Sequence, residues 1–389
     1  MRILSIHNNY QVRGGEDEST QAEANLLREM GHSVDTYEEH NDRIASFNSA
    51  HLALKTIWSQ ESYQIVQQKL KNSPTDIVHV QNFFPLISPS VYYAARSAGV
   101  PVVQTLRNYR LICPNGLFFR QGKVCEDCLG KPIPYPGFIH ACYRENRLAT
   151  AGTIAMLTTH KTLNTWLKQV NVFVSLSQFA RQKFIEAGWP GEKIVVKPNF
   201  VFPDPGKGSG SGGYALYVGR LSVEKGLDIL LKAWEYLKIP IPLKIVGDGP
   251  LSGLVVEATQ RLSHVEWLGR KPMTEVYEII GEAMFLIFPS KWYETFGRVA
   301  VEAFAKGTPV IASNLGAIAE LVDNNRTGLH FRPSDPLDLA ATVEKALAHP
   351  QELMQMREAA RAEFEAKYTA EKNYQQLMEI YAIARCLSS

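Results

Sequence analysis

Short apolar segments alternate with amphipathic helical stretches along this chain, and the series runs twice. Such alternation packs as a parallel sheet with helices on both faces. RILSIHN, HSVDTY, DIVHVQN, VPVVQTL and VFVSLSQ read as strands of a first series, with a Gly-Gly turn and a helix from Gln21 to Met30 after the first of them. YALYVGR, PLKIVGDGP, VEWLGR, MFLIFPS and TPVIAS read as strands of a second. Between them PNFVFPDPGKGSGSGG, Pro198 to Gly213, has the composition of a linker. A chain of 389 residues is too long for a single core. The expected fold class is therefore α/β, with two Rossmann-like domains facing each other across a cleft.

Composition removes several functions. A formal net charge of +2, with no long basic run, argues against nucleic acid as a partner. Residues 1–200 hold 21 Lys and Arg against 16 Asp and Glu, so the first half is weakly basic, which suits either an anionic surface or plain solvation. The apolar part of MRILSIHNNY is too short for a signal peptide, and no window approaches a membrane span. The expected setting is the cytoplasm. A dinucleotide oxidoreductase would carry G-x-G-x-x-G after its first strand, and Gly14-Gly15 does not supply it.

In a doubly wound fold, ligands bind at the carboxyl ends of the strands. Arg220 closes YALYVGR, with Lys225 and Gly226 five and six residues later; Gly247 follows KIV, and Glu294 to Gly297 follow FLIFPS. Backbone N–H groups around Phe296 and Gly297, at a helix start, suit a phosphate, and Arg220 and Lys225 add full charges to it. Glutamates suit hydroxyls instead. Glu302, five residues into the helix, lies about 7 Å from its start, a phosphate-to-ribose reach. Glu294, on the loop before the helix, falls on the sugar side.

GRLSVEKG, KIVGDGP and PSKWYETFGRVAVEAFAKGTPVIASNLGAIAELVDNNRTGLHF occur in that order, with an E-x7-E pair at Glu294 and Glu302. With RGGEDES, DIVHVQNFFPLISPSV and PVVQTLRNYRLICPNG, they make the chain resemble a family-4 retaining glycosyltransferase of the GT-B architecture over nearly its whole length. The resemblance implies an acceptor-side domain over 1–200 with a Cys-rich insertion at 113–142, a linker at 201–213, a donor domain over 214–365, and a terminal helix at 366–389 that crosses back to the first domain. It implies that Arg220 and Lys225 neutralise the diphosphate leaving group, Glu302 holds ribose, and Glu294 the donor sugar. Gly15, Gly247, Thr295, Phe296, Gly297 and Arg298 would line the donor. The donor would be a UDP- or GDP-linked sugar, and the acceptor a glycan or lipid-linked molecule of surface polysaccharide synthesis. No catalytic metal is implied, and peripheral contact of the N-terminal domain with the inner face of the membrane is. A nucleotide-sugar epimerase and a non-catalytic carbohydrate- or nucleotide-binding scaffold are the competing readings.

One position departs from that family's pattern. Arg107-Asn108 stands where relatives carry His-Asp, and arginine is no general base. Arg107 and Asn108 therefore read as substrate recognition, or Arg107 as a structural ion-pair partner. His79, ending DIVHVQN, reads as an acceptor contact or a structural histidine. Cys113, Cys125, Cys128 and Cys142 read either as a structural zinc site or as thiols in a loop.

Overall fold

The computed structural model describes residues 1–387. The chain forms two compact units. The first comprises Met1–Phe118, Glu126–Pro198 and the stretch from Asn373 on; the second comprises Phe119–Cys125 and Asn199–Lys372.

The strands before the second series are β1 (Arg2–Asn9), β2 (Ser33–His40), β3 (Ile77–Asn82), β4 (Val102–Leu106), β5 (Phe119–Arg120), β6 (Lys123–Val124), β7 (Val172–Ser175) and β8 (Ile194–Val196). β5 and β6 are a small antiparallel hairpin, which falls in the second unit. The other six make one sheet in the order β2-β1-β3-β4-β7-β8, with parallel neighbours. β3 and β4 are buried at every residue, as strands covered on both faces must be. The terminal helix, Ala370–Cys386, belongs to this unit from Asn373 on. Its Leu377, Ile380, Tyr381 and Ala384 form one helical stripe packed with Ile3, Ile77, Val103 and Val172.

Beneath that helix lies a polar cluster that the sheet cannot leave unpaired. Lys197 Nζ stands 2.8 Å from Glu23 Oε2 and donates to Asn373 Oδ1 at 3.1 Å. Gln81 donates to Glu23 Oε1 at 2.6 Å. Burial alone would raise the Glu23 pKa, but the charges of Lys197, His79 and Arg107 outweigh it and bring the carboxyl to about 2.

The second unit carries β9 (Ala215–Val218), β10 (Leu243–Val246), β11 (Val265–Gly269), β12 (Phe285–Phe288), β13 (Val310–Ser313) and β14 (Gly328–Phe331). These six form a parallel sheet in the order β11-β10-β9-β12-β13-β14. The order reverses between β9 and β12, so the loops leaving those two strands diverge and open a crevice at their carboxyl ends.

Pro198 to Gly213 is not a free tether. Within the second unit Gly208 N, Gly210 N and Gly212 N donate to Lys306 O, Gly281 O and Glu282 O, each at 2.9 Å. A Cβ on Gly208 would stand 2.3 Å from the Gly281 backbone. Gly208, Gly210 and Gly212 are there for close approach, since a Cβ on each would fall within about 2.4 Å of a neighbour.

Candidate functional site

The β9–β12 divergence gathers the residues expected from sequence. After β9 the chain turns through Val223–Lys225 into the helix Leu227–Tyr236, with Gly226 at φ +72° between them. A Cβ there would stand 1.9 Å from Pro289 O, so only glycine lets this turn lie against the loop leaving β12. The two loops are stitched by Lys291 N donating to Glu224 O at 2.8 Å and by Lys291 Nζ with Asp228 Oδ2 at 2.9 Å. The β10 loop joins them: Gly247, at φ +135°, would place a Cβ 1.9 Å from Gly219 O, and Leu221 N donates to Asp248 O at 3.0 Å.

Lys225 and Glu294 meet here. Lys225 Nζ donates to Glu294 Oε1 at 2.6 Å, and the same oxygen accepts from Ser290 Oγ at 2.8 Å and Trp292 Nε1 at 2.9 Å. Glu294 is buried, whereas the Lys225 side chain keeps about a quarter of its surface exposed (27%). The ammonium also lies 5.3 Å from the Trp292 ring centroid. Arg220 is exposed, its carbonyl held by Tyr217 OH at 2.9 Å. Among the described residues its guanidinium has no ion-pair partner, so it is available to an incoming anion.

The helix Arg298–Ala305 starts after Gly297 at φ +120°, and among the described residues no side chain caps that end. Thr295 and Phe296 are buried just before it. Arg298 Nε sits 2.8 Å from Glu302 Oε1 one turn on, and Glu302 is buried. A helix start without a side-chain cap is a place where an anion can bind.

In the first unit, the helix Gly15–Glu29 follows β1 through an exposed Gly14-Gly15, with Glu16, Asp17 and Glu18 in its first turn. Asp17 closes that turn by accepting from Gly14 N at 2.9 Å and lies 2.8 Å from His7 Nε2. Asn108 Nδ2 reaches Glu16 Oε2 at 3.3 Å and Tyr10 OH at 3.4 Å. Burial holds the Glu16 carboxyl above its ordinary pKa, and its Oε1 is buried without a hydrogen-bond partner among the described residues. Arg107 is buried, and its Nε and Nη2 both donate to Gln81 Oε1, at 3.0 and 2.7 Å. His79 is part of the core: its ring nitrogens lie 2.8 Å from Tyr381 OH and 2.8 Å from Thr105 Oγ1, and burial lowers its pKa to about 4 despite the Glu23 charge.

Cys113 and Cys128 are buried, and Cys125 and Cys142 half-buried. Cys113 Sγ donates to Asn115 Oδ1 at 3.0 Å, and Cys128 Sγ lies 3.7 Å from Pro134 O. Among the described residues no group of three or more His, Cys, Asp or Glu is placed to hold a metal ion.

Known proteins bear on the second unit most strongly. Residues 207–363 match the family of glycosyl transferases group 1. That segment spans β9 to β14 and the whole switch-point site, so the similarity to glycosyl transferases group 1 lies in the second unit. An uncharacterised glycosyltransferase of Methanocaldococcus jannaschii is 35% identical over 176 residues, 44% of this chain and 48% of that protein. An uncharacterised 42.6 kDa protein in the cps region of Klebsiella pneumoniae is 26% identical over 355 residues, 82% of this chain and 86% of that one. The chain spans about half, or less, of the length of the curated relatives that match it at 35% identity or above. The crystal structure of HepE of Anabaena in complex with UDP-glucose superposes with a TM-score of 0.70 at 19% identity, over 98% of this chain and 99% of that one. The α/β fold of two parallel six-stranded sheets is thus that of GT-B glycosyltransferase structures.

The residues that reading the sequence missed are Ser290 and Trp292, which hold Glu294, and Gln81, which holds Arg107. Ser290 and Trp292 stand four and two residues before Glu294 in PSKWYETFG, and that proximity was the available signal. Gln81 carried none.

Proposed function

We propose that the chain is a retaining, family-4 glycosyltransferase that moves a sugar from a UDP- or GDP-linked donor to a glycan or lipid-linked acceptor in surface polysaccharide synthesis. The observation that carries this reading is the Lys225–Glu294 pair at the switch point of the second sheet, beside exposed Arg220 and an uncapped helix start. Arg220 and Lys225 bind the diphosphate, with backbone donors of the Phe296–Arg298 segment beside them. Glu302 receives ribose hydroxyls, and Glu294 the donor sugar's. In the transfer, the bond from C1 of the sugar to the β-phosphate oxygen breaks and its electron pair leaves with the diphosphate. The acceptor oxygen bonds C1 on the same face, and its proton passes to the departing phosphate. Arg220 and Lys225 stabilise the charge that develops there, which is where fixed cations lower a barrier most. The reaction then needs no catalytic metal.

On the acceptor side, Asn108 and Glu16, beside the exposed Gly14-Gly15, are better placed than His79 to meet a hydroxyl. Arg107 serves by holding Gln81 and the floor of that site. The protein would work in the cytoplasm, with the first unit in peripheral contact with the membrane; no helix of the described chain is long and apolar enough to cross one.

The test is incubation with UDP- and GDP-sugars in EDTA, with and without glycan or lipid-linked acceptors. Release of nucleoside diphosphate coupled to an acceptor product of unchanged anomeric configuration is expected. An inverted product would overturn retention. Interconversion of the nucleotide sugar without acceptor would point to an epimerase, and binding without turnover to a scaffold.

A further inference from the structure

The first unit contains a cavity of about 260 Å³. Asn164 and Trp166 on its wall stand just before β7, and Trp189 just before β8, at the amino ends of those strands. Substrates of a doubly wound fold bind at the opposite, carboxyl ends, so this cavity is separate from the site proposed for transfer. Leu111, Ile112, Leu157, Trp166 and Trp189 make its wall largely apolar and aromatic. The Trp166 and Trp189 rings pack on each other there, with centroids 5.9 Å apart.

The uncommitted polar groups of this wall are mostly donors. Trp166 is 5% exposed, and its Nε1 is buried with no hydrogen-bond partner among the described residues. A buried N–H of this kind is uncommon in native proteins and is costly unless something supplies an acceptor. His160 does not supply it, because its Nδ1 is 2.8 Å from Thr165 Oγ1 and its Nε2 is 2.8 Å from Ile57 O. Lys161 is exposed and Lys131 half-buried, so the two lysines mark the open side of the cavity, with exposed Asn164 also on its lining. Lys161 Nζ donates to Lys131 O at 3.1 Å, which brings the two residues together. Among the described residues, neither ammonium has an ion-pair partner, and no Asp or Glu lines the cavity.

A ligand that satisfies these walls carries negative charge at one end, is apolar in its middle and offers a further acceptor. The volume lies below the ~300 Å³ at which pockets for drug-sized ligands begin, which excludes a nucleotide sugar and admits one ring with its substituents. We propose that the cavity binds a small aromatic carboxylate that bears an oxygen substituent on its ring. The carboxylate meets Lys131 and Lys161, the ring lies on the aliphatic and tryptophan wall, and the substituent oxygen accepts from Trp166 Nε1. An inorganic anion would use the lysines alone and leave the indole N–H unpaired. A hydrocarbon would leave all three donors unpaired. The site does not depend on the transfer chemistry proposed above.

The experiment is isothermal titration of the full-length protein with 4-hydroxybenzoate, benzoate, 4-hydroxybenzyl alcohol and inorganic phosphate. Saturable binding of 4-hydroxybenzoate with a Kd of about 1 mM or tighter is expected, a range open to a ligand of this size. The neutral alcohol and phosphate should each bind at least about tenfold more weakly, and benzoate at least about threefold, since each lacks one of the matched groups. Lys131→Ala/Lys161→Ala should weaken 4-hydroxybenzoate by about tenfold or more. Trp166→Phe keeps an aromatic ring and removes the N–H, so it should erase the preference for 4-hydroxybenzoate over benzoate and leave benzoate binding nearly unchanged. Cooperative melting shows that each variant is folded, and the lysine variant, changed only on the open side, tests the site even where Trp166→Phe does not fold. Absence of saturable 4-hydroxybenzoate binding, equally tight binding of the alcohol or of phosphate, or binding indifferent to the lysine pair overturns the proposal. Equal binding of benzoate, or a preference that survives Trp166→Phe, overturns the part assigned to Trp166.

Discussion

Glu294 gathers three donors on one oxygen, and this determines what each partner does when removed. Lys225→Ala leaves Ser290 and Trp292 holding a buried carboxylate that has lost its cation, so the melting temperature should fall while the fold is kept. Transfer should fall by about 2 to 4 kcal/mol of transition-state stabilisation, about one and a half to three decades in rate, because the lost cation faces the leaving group. A steady-state assay with the identified donor checks this. Glu302 differs, since its carboxylate is buried against Arg298. Glu302→Ala should weaken the bare nucleoside diphosphate and also destabilise the fold by a few kcal/mol, through a charge left unpaired. Glu294→Ala should weaken mainly the sugar-bearing donor. Calorimetric titration of both ligands into both variants separates the roles, and equal losses throughout would show them wrongly divided. Both glutamates and Lys225 were legible because each follows an apolar strand. Their contact was not, since 69 residues separate Lys225 from Glu294 and only the strand order brings them together. Arg107 was legible only as a departure; that its fork closes on Gln81 depends on the pairing of neighbouring strands β3 and β4.

Loops at the switch point are held by glycines whose role shows only in three dimensions. Gly226→Ala and Gly247→Ala each place a Cβ 1.9 Å from a carbonyl oxygen at positive φ. Each should lower the melting temperature of the second unit sharply and abolish nucleoside-diphosphate binding. Gly253, in the helix Ser252–Arg261, has nothing within 4 Å of a built Cβ. Gly253→Ala should therefore be neutral or stabilise by up to about 1 kcal/mol. Differential scanning calorimetry of the three variants tests the contrast. Most long strands could be read directly, because a strand buried on both faces is an unbroken apolar run. β8 and β14, both at sheet edges, were not: β8 has only three residues, and β14, GLHF, opens on a glycine and carries a histidine in place of an apolar run. In the Pro198–Gly213 segment, at the boundary of the two units, composition does not distinguish glycine used for flexibility from glycine used for close packing, as at Gly208, Gly210 and Gly212.

For the molecule as a whole, the buried cluster under the terminal helix makes stability depend on pH. His79 has its pKa lowered to about 4 from 6.5, so the stability of its neutral form is complete above pH 6.5 and is lost as pH falls toward 4. Glu23, lowered from 4.5 to about 2, adds a loss that begins below pH 4.5. Melting temperature should thus fall on acidification from pH 7, and His79→Gln should flatten the part of that fall between pH 6.5 and 4. An unchanged profile in this variant would remove His79 from the explanation. The division into two sheet-bearing units was readable from the repeated strand series, whereas the return of the chain to the first unit at Asn373 rests on a helical stripe that sequence alone could not pair with its partner. The central claim is that the β9–β12 switch point binds the diphosphate of a nucleotide sugar. Isothermal titration of UDP and GDP in EDTA, into wild type and into Arg220→Ala/Lys225→Ala, tests it most directly. Saturable binding of at least one nucleotide to wild type, weakened by about 2 kcal/mol or more in the double variant, is the predicted result; binding of neither nucleotide, or equal binding to both proteins, would contradict it.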